Sequence, residues 1–150
     1  MKLLTIMRGL PGAGKSTYIR EHFPGATPAP LTPAGWSPVV ISGDHFFTDW
    51  ITGEYRCDPT RFGEAHAMAT SYLIEALSSG VDHVIVDNTH VRAWEWRVAL
   101  TLAAAFDYTV DFVDLFDGGL TDEALAARGI HNVQVKTITG FRKKWEPNQT

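Results

Sequence analysis

Eight residues into the chain stands the run Gly9-Leu10-Pro11-Gly12-Ala13-Gly14-Lys15-Ser16, which fits G-x-x-x-x-G-K-[ST] at every fixed position. An apolar stretch, Leu3–Met7, precedes it and reads as a buried strand. A segment able to form a helix, Lys15–His22, follows it. Strand, glycine loop and helix in that order predict a phosphate-binding loop. Gly12 and Gly14 let the backbone turn its N–H groups inward with no Cβ in the way. The helix N-terminus adds partial positive charge, Lys15 adds a full one, and the Ser16 hydroxyl is a candidate Mg²⁺ ligand. Gly12, Ala13, Gly14, Lys15, Ser16 and Thr17 are therefore the candidate nucleotide-binding residues.

The rest of the chain repeats the alternation. Val39–Ser42, His83–Asp87 and Thr109–Phe116 are rich in β-branched and aromatic residues and read as strands. Arg61–Ser79 and Arg92–Ala105 read as helices between them, and two further helices are expected near Thr121–Ala127 and Val133–Trp145. The pattern predicts an α/β three-layer sandwich: a short parallel sheet of about four strands with helices on both faces. At 150 residues a single domain spanning the chain is expected. Pro24 to Pro38 holds five of the eight prolines and reads as a solvent-exposed loop, in which Trp36 is expected to pack on the body.

A net charge of −4 argues against a protein that coats nucleic acid nonspecifically. It leaves room for a small basic groove, and Arg142, Lys143 and Lys144 are candidates for one or for a solvated helix face. No apolar run reaches membrane-span length, no signal-peptide pattern starts the chain, and the single cysteine, Cys57, excludes an internal disulfide. A cytoplasmic location without membrane attachment is the expectation.

Ligands in open parallel sheets bind beyond the carboxyl ends of the strands, which singles out three further places. Asp44, just after the second candidate strand, suits a general base for an acceptor hydroxyl; equally, it could cap a short helix starting at His45. Asp87 ends the third candidate strand and suits the Mg²⁺ site beside Ser16, or else starts a turn. Arg128, at the end of a candidate lid helix, suits charge neutralisation on the transferred group, or simply complements the helix dipole. His45, His66, Asn88 and His131 are candidates for contact with the acceptor, although a surface or structural role would explain each histidine as well.

Taken in order, Arg8-Gly9-Leu10-Pro11-Gly12-Ala13-Gly14-Lys15-Ser16-Thr17, Ser42-Gly43-Asp44-His45-Phe46-Phe47, Gly63-Glu64-Ala65-His66, Val86-Asp87-Asn88-Thr89 and Arg128-Gly129-Ile130-His131 resemble the small P-loop kinase family. That family has AAA-type ATP-binding domains and includes phage-type polynucleotide 5′-hydroxyl kinases. The chain looks closer still to the kinase-like domains of NEDD-binding proteins. The resemblance covers nearly the whole chain. It implies an ATP- and Mg²⁺-dependent phosphotransferase, with Lys15 and Ser16 on the phosphates and metal, Asp44 as base, Asp87 in the metal site and Arg128 in a lid. The expected acceptor is the 5′-hydroxyl of a DNA or RNA end. Two departures bear on that acceptor: His45 stands where a second acid is common, and Phe47 where the phage-type enzymes carry an arginine. Gly129 also replaces a polar residue, and the phosphatase half fused to some phage enzymes has no counterpart. The alternatives are a kinase of a nucleoside, a hydroxymethylated DNA base or another small-molecule acceptor, and an ATP-binding switch acting through a protein partner.

Overall fold

The computed structural model describes residues 2–148. Five parallel strands form one sheet: β1 (Leu3–Arg8), β2 (Thr27–Pro28), β3 (Val39–Ile41), β4 (His83–Asp87) and β5 (Thr109–Asp114), in the spatial order β2-β3-β4-β1-β5. β1 lies between β4 and β5, in register Met7 to Asp87 and Arg8 to Asp114. The helices are α1 (Lys15–His22), α2 (Phe62–Ser78), α3 (Ala93–Ala105), α4 (Asp122–Arg128) and α5 (Val135–Lys144). All lie within one or two residues of the ranges expected from sequence.

Side chains of a strand alternate between faces, and here both faces are covered. Leu4, Ile6, Val39, Ile41, Val84 and Val86 pack on one face against Leu73, Ala76 and Leu77 of α2 and Trp96, Ala99 and Ala103 of α3. Met7, Val40 and Ile85 point the other way, onto Ile19 and Tyr18 of α1 and the following Phe23. Those one-residue offsets are the reason each strand reads as an unbroken apolar run rather than as an alternation.

The additional strand hides in the proline-rich stretch. Thr27 and Pro28 pair with Val39 and Val40, and the Thr27 N–H donates to the Pro38 carbonyl at 3.1 Å. Proline fits there because β2 is an edge strand, where a missing N–H goes unnoticed by the sheet. Trp36 is half-exposed, and its indole N–H donates to the Gly25 carbonyl at 2.9 Å, so it ties the loop to itself as a packing residue. β5 stops at Asp114, two residues before its expected end. Asp114 itself accepts the Phe116 N–H, and Phe116 turns the chain in a left-handed conformation with φ 47°.

Arg8 ends β1 fully buried. Its guanidinium lies between the Trp96 and Trp145 rings, 4.1 and 4.2 Å from their centroids. It donates to the carbonyls of His90 (2.9 Å) and Glu146 (2.6 Å) and to the Asp114 carboxylate (3.0 Å). Each face and each edge of the cation is therefore matched, which is what permits burial of a charge. His90 is buried beside it, with Nδ1 2.6 Å from the Met7 carbonyl, and burial lowers its pKa to about 4. Among the described residues no helix is long and apolar enough to cross a membrane.

Candidate active site

The carboxyl ends of β1, β3 and β4 meet at the glycine loop. Gly14 caps α1 with φ 102°, and no side chain occupies the helix N-terminus, so its first-turn N–H groups remain open to an anion. Gly12, at φ 84°, faces the backbone of α4: a Cβ there would collide with the Leu125 carbonyl. Lys15 curls back over the loop, its ammonium 2.8 Å from the Gly9 carbonyl and 3.4 Å from that of Leu10. Burial lowers its pKa, against the pull of the Asp87 and Asp44 carboxylates. Ser16 and Thr17 follow on the exposed first turn.

Asp87 stands opposite Met7, where the glycine loop is about to leave the sheet. Its Oδ1 is buried and has no hydrogen-bond partner. Burial raises the pKa of this carboxyl, while the Lys15 charge works the other way. A buried carboxylate oxygen without a donor is a place for a cation or its water shell. Its oxygen chemistry, like that of the Ser16 hydroxyl on the first turn of α1, fits Mg²⁺, which takes few protein ligands and fills its shell with water and phosphate oxygens. No cluster of three or more His, Cys, Asp or Glu side chains suited to a metal occurs among the described residues.

Asp44 sits in a 3₁₀ turn, Gly43–Phe47, directly after β3. The reading of Asp44 as a helix cap is corrected here. Ser42 is the cap, its Oγ accepting the Asp44 N–H at 3.1 Å, and the Asp44 carboxylate is left to other partners. The Tyr55 hydroxyl donates to Oδ1 at 2.9 Å, and His131 Nδ1 lies 3.4 Å from Oδ2. The Tyr55 and His131 rings stack, 3.8 Å apart and 10° from parallel. Burial pushes the Asp44 pKa up, but His131, Tyr55 and the Lys15 charge together outweigh it and hold the carboxyl below its usual value. Burial and the adjacent carboxylate raise the Tyr55 phenol well above its ordinary range, so it remains a donor. Asn88 braces the turn from β4, its Oδ1 accepting the Gly43 N–H at 3.1 Å.

The expected lid is seated on the loop. Leu125 of α4 and Ile138 of α5 form a buried cluster with Leu10. Arg128 is exposed at the end of α4, its Nη2 3.8 Å from the point a Cβ on Gly14 would occupy, so its charge stands over the phosphate cradle. Arg142 of the late basic cluster turns inward instead. It pairs with Asp117 and Asp122, each at 2.7 Å, and donates to the Leu120 carbonyl at 3.0 Å.

The structure thus gathers Lys15, Asp44, Asp87, Arg128 and His131 around one cleft, with Asn88 behind it. His45 instead packs edge-on to Trp50, centroids 5.2 Å apart, and burial lowers its pKa to about 4. His66 is exposed on α2, where it lines a cavity of about 480 Å³ with Ala67, Thr70, Ser71 and Ile74. Tyr55 went unnoticed in the sequence. It is brought in by an isolated antiparallel bridge to Thr48, and no spacing rule links it to Asp44 or His131.

The family model described as an AAA domain matches residues 4–136. Human (Homo sapiens) NEDD4-binding protein 2 is 33% identical over 145 residues, a match covering 96% of this chain and 8% of that protein. The chain therefore spans less than a tenth of the length of this curated relative. Among solved structures, a chain of the Pnkp1/Rnl/Hen1 RNA repair complex superposes with TM-score 0.64 at 18% identity, over 95% of this chain and 43% of that one. Another chain, from a Pnkp1/Rnl/Hen1 complex, gives TM-score 0.57 at 21% identity, over 89% and 41%. These structural likenesses speak to the fold.

Proposed function

Since the chain belongs to the AAA-domain family, as a P-loop kinase-like domain, we propose that it is an ATP-dependent kinase whose acceptor is the 5′-hydroxyl of a DNA or RNA end. One observation carries the reading: the Asp44 carboxylate, directly after β3, faces the same cleft as Lys15, with the Tyr55 hydroxyl donating to Oδ1 and His131 Nδ1 3.4 Å from Oδ2. A module that merely binds nucleotide has no use for a base there.

The glycine-loop N–H groups and Lys15 hold the β- and γ-phosphates of ATP. The acceptor oxygen attacks the γ-phosphorus, its proton passes to Asp44, and the bond to the bridging oxygen breaks to release ADP. Arg128 neutralises charge on the phosphoryl group in transit. Ser16 and Asp87 would hold Mg²⁺, which when bound neutralises charge on the phosphate oxygens.

Two exposed cations flank the Asp44 turn, each paired with a glutamate: Arg61, whose guanidinium lies 4.7 Å over the Phe46 ring, with Glu64, and Arg56 with Glu54 at 2.9 Å. Exposed pairs of this kind are weak in water, so either arginine can turn to a phosphate on the acceptor. One similar structure is part of an RNA repair complex, which favours the same acceptor. A small-molecule acceptor is the second reading. It is favoured by the net charge of −4 and by Arg142 being spent on Asp117 and Asp122.

The test is transfer of labelled γ-phosphate from ATP, with Mg²⁺, to a 5′-hydroxyl oligonucleotide by the wild type and by Asp44→Ala. Label on the oligonucleotide with the wild type alone supports both acceptor and base. Equal label with Asp44→Ala removes the base assignment, and none with either protein, while ATP still binds, moves the acceptor to a small molecule.

A further inference from the structure

The most complete unassigned arrangement in the molecule surrounds the two oxygens of Asp44. Tyr55 reaches Oδ1 from the segment that closes back on Thr48, on Asp44's own side of the cleft. His131 reaches Oδ2 from the opposite side, three residues beyond Arg128 and just past the end of α4. The two rings then stack on one another, so each fixes the plane of the other. An exposed carboxylate swings freely about its last bond. A carboxylate held by a hydroxyl donor on one oxygen, with an imidazole nitrogen 3.4 Å from the other, does not.

We propose that Tyr55 and His131 are positioning residues that clamp the Asp44 carboxylate, with His131 carrying the contact across from the lid. The proposal rests on Asp44 being the base. Each carboxylate oxygen accepts more than one hydrogen bond, so a lone pair remains for the acceptor hydroxyl. What the clamp fixes is the direction in which that lone pair points. Because Leu125 is seated on Leu10, and Gly12 lies against the Leu125 carbonyl, the same segment that sets Arg128 over the phosphates also sets His131 on the base. Displacement of the lid from the glycine loop therefore withdraws Arg128 and one clamp partner together.

The test compares Tyr55→Phe, His131→Ala and His131→Gln with the wild type and with Asp44→Asn. Tyr55→Phe and His131→Ala should each lower kcat by about tenfold to a hundredfold, as expected for a misaimed reacting group, with the KM for ATP unchanged. His131→Gln, which keeps an N–H donor, should recover part of the loss. If Asp44→Asn is inactive while Tyr55→Phe and His131→Ala turn over within about twofold of the wild type, the clamp is wrong and the base reading stands. If Asp44→Asn is as active as the wild type, the base reading fails and the clamp with it. A second measurement needs no acceptor: urea unfolding of Tyr55→Phe, Asp44→Asn and the double variant. The unfolding constant of the double variant should depart from the product of the single effects by roughly threefold or more, and additive effects overturn the clamp whatever the acceptor proves to be.

Discussion

Gly12→Ala is the substitution whose effect the structure predicts most sharply. Two independent penalties meet at this position. Gly12 has φ 84°, a left-handed conformation that costs an L-residue about 1–2 kcal/mol. A Cβ also collides with the Leu125 carbonyl, which is backbone and cannot rotate away as a side chain could. Overpacking of this kind costs about 1–3 kcal/mol. Gly35 supplies the control, for its φ is 79° and no atom lies within 4 Å of its would-be Cβ. Gly35→Ala therefore meets the strain without the collision, and both variants share the same gain from a stiffer unfolded chain. Urea denaturation of the two variants should differ by about 1–3 kcal/mol, with Gly12→Ala the weaker. At this chain length that difference lowers Tm by about 2–12 °C. If the two variants unfold within about 0.5 kcal/mol of each other, α4 does not rest on the glycine loop in solution. The lid contact would then be refuted.

Two further outcomes follow from the turns that frame the site. His90, held neutral by burial with its pKa lowered to about 4, refuses a proton that the unfolded chain accepts below its ordinary value of 6.5. Its contribution is thus complete above about pH 6.5 and is lost as the pH falls toward 4, by up to roughly 3 kcal/mol. Urea midpoints at about pH 7 and about pH 4.5 should converge in His90→Gln relative to the wild type, and an unchanged difference would sink this account. Ser42→Ala should cost about 1 kcal/mol by removing the cap on the Asp44 N–H, measured by thermal unfolding, and a variant as stable as the wild type would show that the cap is idle.

The glycine loop was legible from sequence because its function is written in backbone permission, and only glycine grants that. Asp44 and Asp87 were legible because both lie at the carboxyl ends of apolar runs, where parallel sheets place their ligands. The strand at Thr27–Pro28 was not: two residues carry no period, and prolines there read as loop. Arg8 was visible only as the start of a motif. An arginine is ordinarily a surface residue, and the two tryptophans that enclose it lie 88 and 137 positions away in the chain. Tyr55 was missed for a related reason. Its partners, Asp44 and His131, come from separate loops, and loops keep no periodicity by which to predict what they face. The candidate role of Arg142 in a basic groove gives way to its pairing with Asp117 and Asp122, since composition records charge but not the direction in which it points.

The burial of Arg8 also sets an order of assembly. β1 precedes the other strands in the chain, but the groups that satisfy its terminal cation lie at residues 90, 114 and 146. A strand ending in an unmatched guanidinium cannot leave water cheaply, so the central strand of the sheet waits for distant chain. Loop closure over more than a hundred residues carries an entropic cost that is repaid only when the last contact forms. Truncation before Glu146 is therefore expected to leave β1, and the glycine loop that follows it, less firmly held, and hydrogen exchange of the β1 amides would show it.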